Sequence, residues 1–132
     1  MSSTEVIPVV RIKIAAEQPA RRENDTRLKI GWREGLDQKT VWDRGREAWK
    51  LKAEKVLSCE QALIAHAGII RAVGKVEGVT KLGDRLIIEG AVIEDHPLVG
   101  KPDPLHNTSQ NPVTYGTVKV PVPGQSTATT AE

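Results

Sequence analysis

The sequence predicts a small α+β protein: a curved, mainly antiparallel sheet or small barrel with one main helix. Three observations carry this. The 132 residues suit one domain with one core. The apparent element order is two strands, a helix, then about four strands, without the βαβα alternation of a parallel nucleotide-binding sheet. The composition is 39% hydrophobic and 27% charged, within the globular range, yet Phe is absent. The core must therefore be built from Val, Ile, Leu and Ala, with three Trp and one Tyr as the only aromatic residues.

Met1–Glu5 is expected to fray. Val6 to Ile14 reads as a strand, with Val10, Ile12 and Ile14 alternating against Arg11 and Lys13. Gln18 to Thr26 is polar and reads as a loop. Arg27 to Arg33 alternates again, placing Leu28, Ile30 and Trp32 on one face, and Gly35 to Lys39 ends it. Thr40 reads as a helix N-cap with Asp43 three residues on. Trp42, Trp49, Ala53, Val56 and Leu57 follow at helical spacing and define the packing stripe. Gly45 interrupts this pattern. Either the helix begins after it, or the backbone there lies close to something.

Ala62 to Ala67 is a short apolar run that Gly68 breaks. Ile69 to Val79 is rich in β-branched residues, with Arg71, Lys75 and Glu77 facing solvent. Gly83-Asp84 turns the chain back into Arg85–Glu89, making a hairpin, and Ala91–Ile93 continues as a short strand. Asp95 to Pro112 reads as a long loop, of the kind that binds a ligand or covers a sheet edge. Val113 to Val120 is the last strand. The globular domain is expected over residues 1–120, with a disordered Pro/Ser/Thr/Ala tail over 121–132.

One cysteine, Cys59, excludes an intramolecular disulfide and a multi-cysteine zinc site. No signal peptide and no apolar run of membrane-spanning length are present, so a cytoplasmic location is expected. A virus-encoded protein acting inside a bacterial cell would look the same. The Asn107-Thr108-Ser109 sequon has no meaning without secretion.

Standard catalytic signatures are missing: no glycine-rich phosphate loop, no G-x-S-x-G, no H-E-x-x-H. His66 lies on a β run and reads as a hydrogen-bonded structural residue. His96 and His106 share the long loop and could approach each other, but their spacing demands no metal. Cys59 could serve as a nucleophile only if the fold brought His66 to it, and otherwise reads as a small core residue. No enzyme activity, metal or cofactor is expected.

Charge is uneven. Residues 1–59 carry 13 Lys/Arg and 9 Asp/Glu, while residues 60–132 carry 6 and 8. The basic excess sits with the three Trp, which suits a polyanion, although an ordinary mixed-charge surface has the same composition.

The segment Val41-Trp42-Asp43-Arg44-Gly45-Arg46-Glu47-Ala48-Trp49, then Ala62–Gly68, then Ile69–Val76, resembles the PUA-like superfamily, especially its EVE and ASCH branches. Ser58-Cys59-Glu60-Gln61 stands where that family usually has Gly-Asp. The resemblance covers about 35 residues and implies a small β-barrel with packed helices that binds nucleic acid, in some members through a modified base. The expected ligand surface is then Trp32, Trp42 and Trp49, with a base stacking on Trp32 or Trp42. Arg44, Arg46, Lys50 and Arg71 would contact phosphates, and Gln110 or Asn111 would read a base edge. The alternative is a protein-interaction or small-ligand module, such as a phage or defence-system accessory factor, with the aromatics as its hot spot. The exposed sheet edge is also compatible with a homodimer.

Overall fold

The computed structural model describes residues 4–19, 29–47, 49, 51–106 and 112–121. Its centre is a four-stranded sheet of β1 (Thr4–Lys13), β4 (Gln61–His66), β5 (Ile69–Lys75) and β8 (Val113–Pro121), in the order β5-β4-β1-β8. Two small antiparallel pairs accompany it: β2 (Gln18–Pro19) with β3 (Lys29–Ile30), and β6 (Gly78–Leu82) with β7 (Arg85–Glu89). The described residues form two helices, α1 (Gln38–Gly45) and α2 (Ala53–Leu57). The protein is therefore α+β, but its sheet is mixed and is not closed into a barrel. The two outer pairs are antiparallel, as expected, while the central pair, β1 with β4, is parallel.

The parallel centre follows from burial on both faces. A strand covered on both sides reads as a near-continuous apolar run rather than a clean alternation. Ala62, Leu63, Ile64 and Ala65 on β4 are all buried, as are Val9, Val10 and Ile12 on β1. One face packs Val10, Ile12, Ile14, Ala62, Ile64 and Ala72 against Val41, Trp42 and Val56 of the helices. The other packs Ile7, Val9, Leu63, Ala65, Ile70, Val73, Val118 and Val120 against Ile93, Leu98, Val99 and Leu105. Arg11, expected at the surface, is 0% exposed and belongs to this second face.

The segment from Ala91 to His106 lies along the outer edge of β5. Lys75 and Gly100 both donate backbone bonds there: Lys75 N–H to Ala91 O at 2.8 Å, and Gly100 N–H to Ile70 O at 2.8 Å. Ile93 bonds Val73, Ile70 bonds Lys101, and Asp103 bonds Gly68. A sheet edge that would otherwise template further strands is covered. Arg11 anchors this cover from beneath. Its Nε lies 3.1 Å from Asp103 Oδ2, with both side chains fully buried, although the pair lacks hydrogen-bond alignment. Its Nη2 donates to Leu105 O at 2.9 Å and to Thr114 Oγ1 at 3.0 Å.

The single long helix is corrected. Asp37, not Thr40, is the N-cap: its Oδ1 accepts from the Thr40 backbone N–H at 3.1 Å. That hydrogen bonding from Thr40 holds the Asp37 carboxyl below its usual range. The helix ends at Gly45 because the backbone there lies against β4; a Cβ would come within 2.6 Å of Ile64. Beyond it Arg46 and Trp49 bond to β7. Ile88 N–H donates to Arg46 O, and Trp49 and Leu86 exchange two backbone bonds. Trp49, expected on the helical stripe, is thus a bridge residue beside β7. The Ile69–Val79 strand divides at Val76-Glu77 into β5 and β6, and of the expected Arg27–Arg33 strand the described residues hold β3 and a bridge at Trp32. Residues 20–28 and 122–132, including most of the expected loop and nearly all of the expected tail, lie outside the described residues.

Gly74 seats the indole of Trp42; a Cβ there would lie 2.5 Å from the ring. Gly74→Ala is expected to destabilise the fold by about 1–3 kcal/mol through overpacking. Gly78→Ala, where a Cβ meets nothing within 4 Å, should change little. Urea unfolding of both variants checks the contrast.

Candidate functional site

Trp32 is held at the end of β4 by two backbone bonds. Its N–H donates to Ala15 O at 2.9 Å, and its carbonyl accepts from Glu17 N–H at 2.9 Å. His66, the last residue of β4, lies beside it, with ring centroids 5.0 Å apart and planes 27° from parallel. His66 Nδ1 is 2.8 Å from Ile14 O. A carbonyl can only accept, so Nδ1 carries the proton, and Nε2 is the acceptor nitrogen when the ring is neutral.

Arg71 completes the group through a backbone irregularity. Ile64 pairs with Ala72 but Ala65 pairs with Ile70, so Arg71 is the extra residue of a β-bulge. Bulges re-aim side chains. Here Ile70 and Val73 face the second core while Ala72 faces the helices, and the bulge turns Arg71 to the helix side as well. Its Cζ lies 4.0 Å from the Trp32 ring centroid, and its Nε donates to His66 O at 3.3 Å. Such a cation–π contact contributes about 0.5–2 kcal/mol, depending on desolvation. Glu17 adds a carboxylate that accepts from Arg44 at 2.7 Å and from Arg33 at 3.1 Å. Arg44 also donates to Gly31 O at 3.3 Å. His106 stands at the margin, 3.8 Å from where a Cβ on Gly68 would sit.

The structure brings together Trp32, Arg71 and Arg44 from the expected ligand surface, and separates others from it. Trp42 is 2% exposed, with its Nε1 donating to Gly90 O at 3.2 Å; it is a core residue and no base can stack on it. Trp49 is half-buried and its Nε1 donates to Gly45 O. Arg46 ties α1 to β7 through Asp43, Glu89 and the Ile88 carbonyl. Lys50, Gln110 and Asn111 lie outside the described residues. His66 and Glu17 were not expected in the site. Periodicity cannot reveal a bulge or a stack between distant segments, so neither residue carried a signal.

A second concavity lies at the opposite end of β4. It is a cleft of about 600 Å³ whose walls include Ile7, Cys59, Gln61, Val76, Ile93 and His96. His96 is 7% exposed. Its Nδ1 accepts from Leu98 N–H at 3.1 Å, so its proton is on Nε2, which donates to Gln61 Oε1 at 3.0 Å. Burial pushes its pKa down, in keeping with this neutral tautomer. His96 touches the first residue of β4, whereas His106 lies beyond the last, roughly 17 Å away at about 3.3 Å per residue. The two loop histidines therefore do not converge, and no metal-ligating group of three His, Cys, Asp or Glu occurs among the described residues. Cys59 is likewise at the far end of β4 from His66. Burial pushes its thiol pKa up, and it donates to Lys55 O at 3.2 Å, which suits a core residue rather than a nucleophile. No described helix is long and apolar enough to cross a membrane.

The chain matches no family model, no curated protein and no solved structure in comparisons with each.

Because the folded state holds His96 neutral, with its pKa below the ordinary 6.5, the unfolded chain binds more protons in the window beneath that value. Stability is then lost as pH falls from 6.5 through the folded pKa. The urea midpoint should drop between pH 7.5 and 5.5, and His96→Gln should drop less over the same interval.

Proposed function

We propose that the protein is a non-catalytic binding module that receives a single-stranded or extruded nucleobase at Trp32. The observation that carries this is the Trp32–His66–Arg71 group. It joins an indole held by backbone bonds, a histidine with one nitrogen left for a ligand, and a guanidinium aimed by a bulge. A base has a π face suited to an indole, and to stack there it takes the place of the Arg71 guanidinium or the His66 ring now against Trp32, the displaced arginine becoming a phosphate contact. Arg33, whose side chain is 57% exposed, lies one residue along and can contact the adjoining backbone phosphate. The likeness to PUA-like domains supports the same ligand class, and a cytoplasmic setting goes with it. Trp42, Trp49 and Arg46 have no part in this proposal.

Single-stranded DNA and RNA oligonucleotides, plain and base-modified, should quench Trp fluorescence of the full chain at low salt. Trp32→Ala should weaken binding by about 5- to 150-fold, matching about 1–3 kcal/mol per stacked base. Arg71→Gln should weaken it too and reduce the slope against log salt by about 0.7 if it contacts one phosphate. Trp42→Phe, once shown to be folded, should bind as the unaltered chain does. Indifference to every oligonucleotide would instead favour the accessory factor that docks a protein, and equal binding by Trp32→Ala would remove Trp32 as the site.

A further inference from the structure

The geometry points to a second binding site, in the cleft at the start of β4, for small uncharged molecules that carry a carbonyl acceptor on an apolar body. It does not depend on the nucleobase proposal, since Trp32 and His66 lie at the other end of the strand. The size, about 600 Å³, falls in the range of small-molecule pockets. The walls supply apolar surface from Ile7, Val76, Ile93, Pro97 and Val120.

Gln61 and His96 share its lining. His96 is buried, and its two nitrogens are committed to Leu98 N–H and to Gln61 Oε1. That contact takes one lone pair of the Gln61 carboxamide oxygen and leaves its two N–H donors without a partner among the described residues. The Cys59 S–H is committed to Lys55 O. Gln61 therefore offers two donors, and the ligand group that complements it is an acceptor. Charge selects further. Glu5, Glu60 and Lys75 line the cleft and are exposed. Two carboxylates against one ammonium do not favour an anion, and an ammonium group cannot accept from the Gln61 N–H donors. An amide, lactam or ketone meets both conditions. His96 acts as a positioning residue: it sets which end of the Gln61 amide faces inward.

The test is amide-detected NMR of the full chain with three ring compounds: caprolactam, cyclohexanecarboxylate and cyclohexylamine. Caprolactam should give saturable shifts at Gln61, Val76 and Ile93 and move the Gln61 side-chain NH2 protons downfield. Cyclohexylamine, whose ammonium has no acceptor, and cyclohexanecarboxylate, which meets the charges of Glu5 and Glu60, should each bind about five- to tenfold more weakly. Gln61→Glu keeps an acceptor for His96 but removes the donors, and should weaken caprolactam by a similar factor. Trp32→Ala should leave caprolactam binding unchanged, which separates failure here from failure of the nucleobase site. The site is overturned if caprolactam gives no saturable shift, if the Gln61 NH2 protons do not move, if Gln61→Glu binds it unchanged, or if cyclohexanecarboxylate binds as tightly.

Discussion

The buried ion pair between Arg11 and Asp103 ties the long segment from Ala91 to His106 to the central sheet. Arg11 stands in the middle of a central strand on a face otherwise lined by Ile7, Val9, Leu63, Val73 and Val118. Removing a guanidinium from water costs several kcal/mol unless it is paired and hydrogen-bonded. Burial accordingly pushes the Arg11 pKa down while Asp103 pulls it up. The compensation comes from the long segment crossing this face: the Asp103 carboxylate, the Leu105 and Pro112 carbonyls, and Thr114 of the adjoining strand. Asp103 is fixed in turn, since its Oδ1 accepts from Leu105 N–H at 2.9 Å. A segment with no strand or helix of its own thereby obtains one defined path.

That path builds both ends of the molecule. Between Ala91 and Lys101 the segment covers the β5 edge and lowers His96 onto Gln61, forming one wall of the cleft. After Asp103, which bonds the Gly68 carbonyl, it carries His106 to the margin of the Trp32 group. It also leaves β5 with an edge fully engaged by its own chain at Gly68, Ile70, Val73 and Lys75, so the bulge at Arg71 sits within a fixed frame. The guanidinium over Trp32 is held by the bulge and by its bond to the His66 carbonyl.

Much of the fold is legible where local chemistry decides it. The β6–β7 hairpin follows from β-branched residues around Gly83-Asp84, and β4, β5 and β8 fall close to their expected positions. What failed did so because long-range contacts overrode local pattern. Arg11 alternates with Val10 and Ile12 as a surface residue would, and its partner lies 92 positions away. Trp42, Trp49 and Val56 share helical spacing, but Gly45 must approach Ile64 and Trp49 pairs with Leu86, so the helix stops. The site was legible in part: Trp32 and Arg71 stood out by type. Their meeting, and the presence of His66, depend on a one-residue bulge that no periodicity encodes. The Gln61–His96 pair is likewise set by where the long segment lies.

The central claim is that Arg11 and Asp103 act as one unit that fixes this segment. A double-mutant cycle in urea unfolding, with Arg11→Met, Asp103→Leu and the double variant, tests it most directly. Each single change leaves a buried charge without its counterpart and should cost about 3–5 kcal/mol, while the double variant should cost clearly less than the sum. Singles that cost little, or effects that add within about 0.5 kcal/mol, would contradict the account.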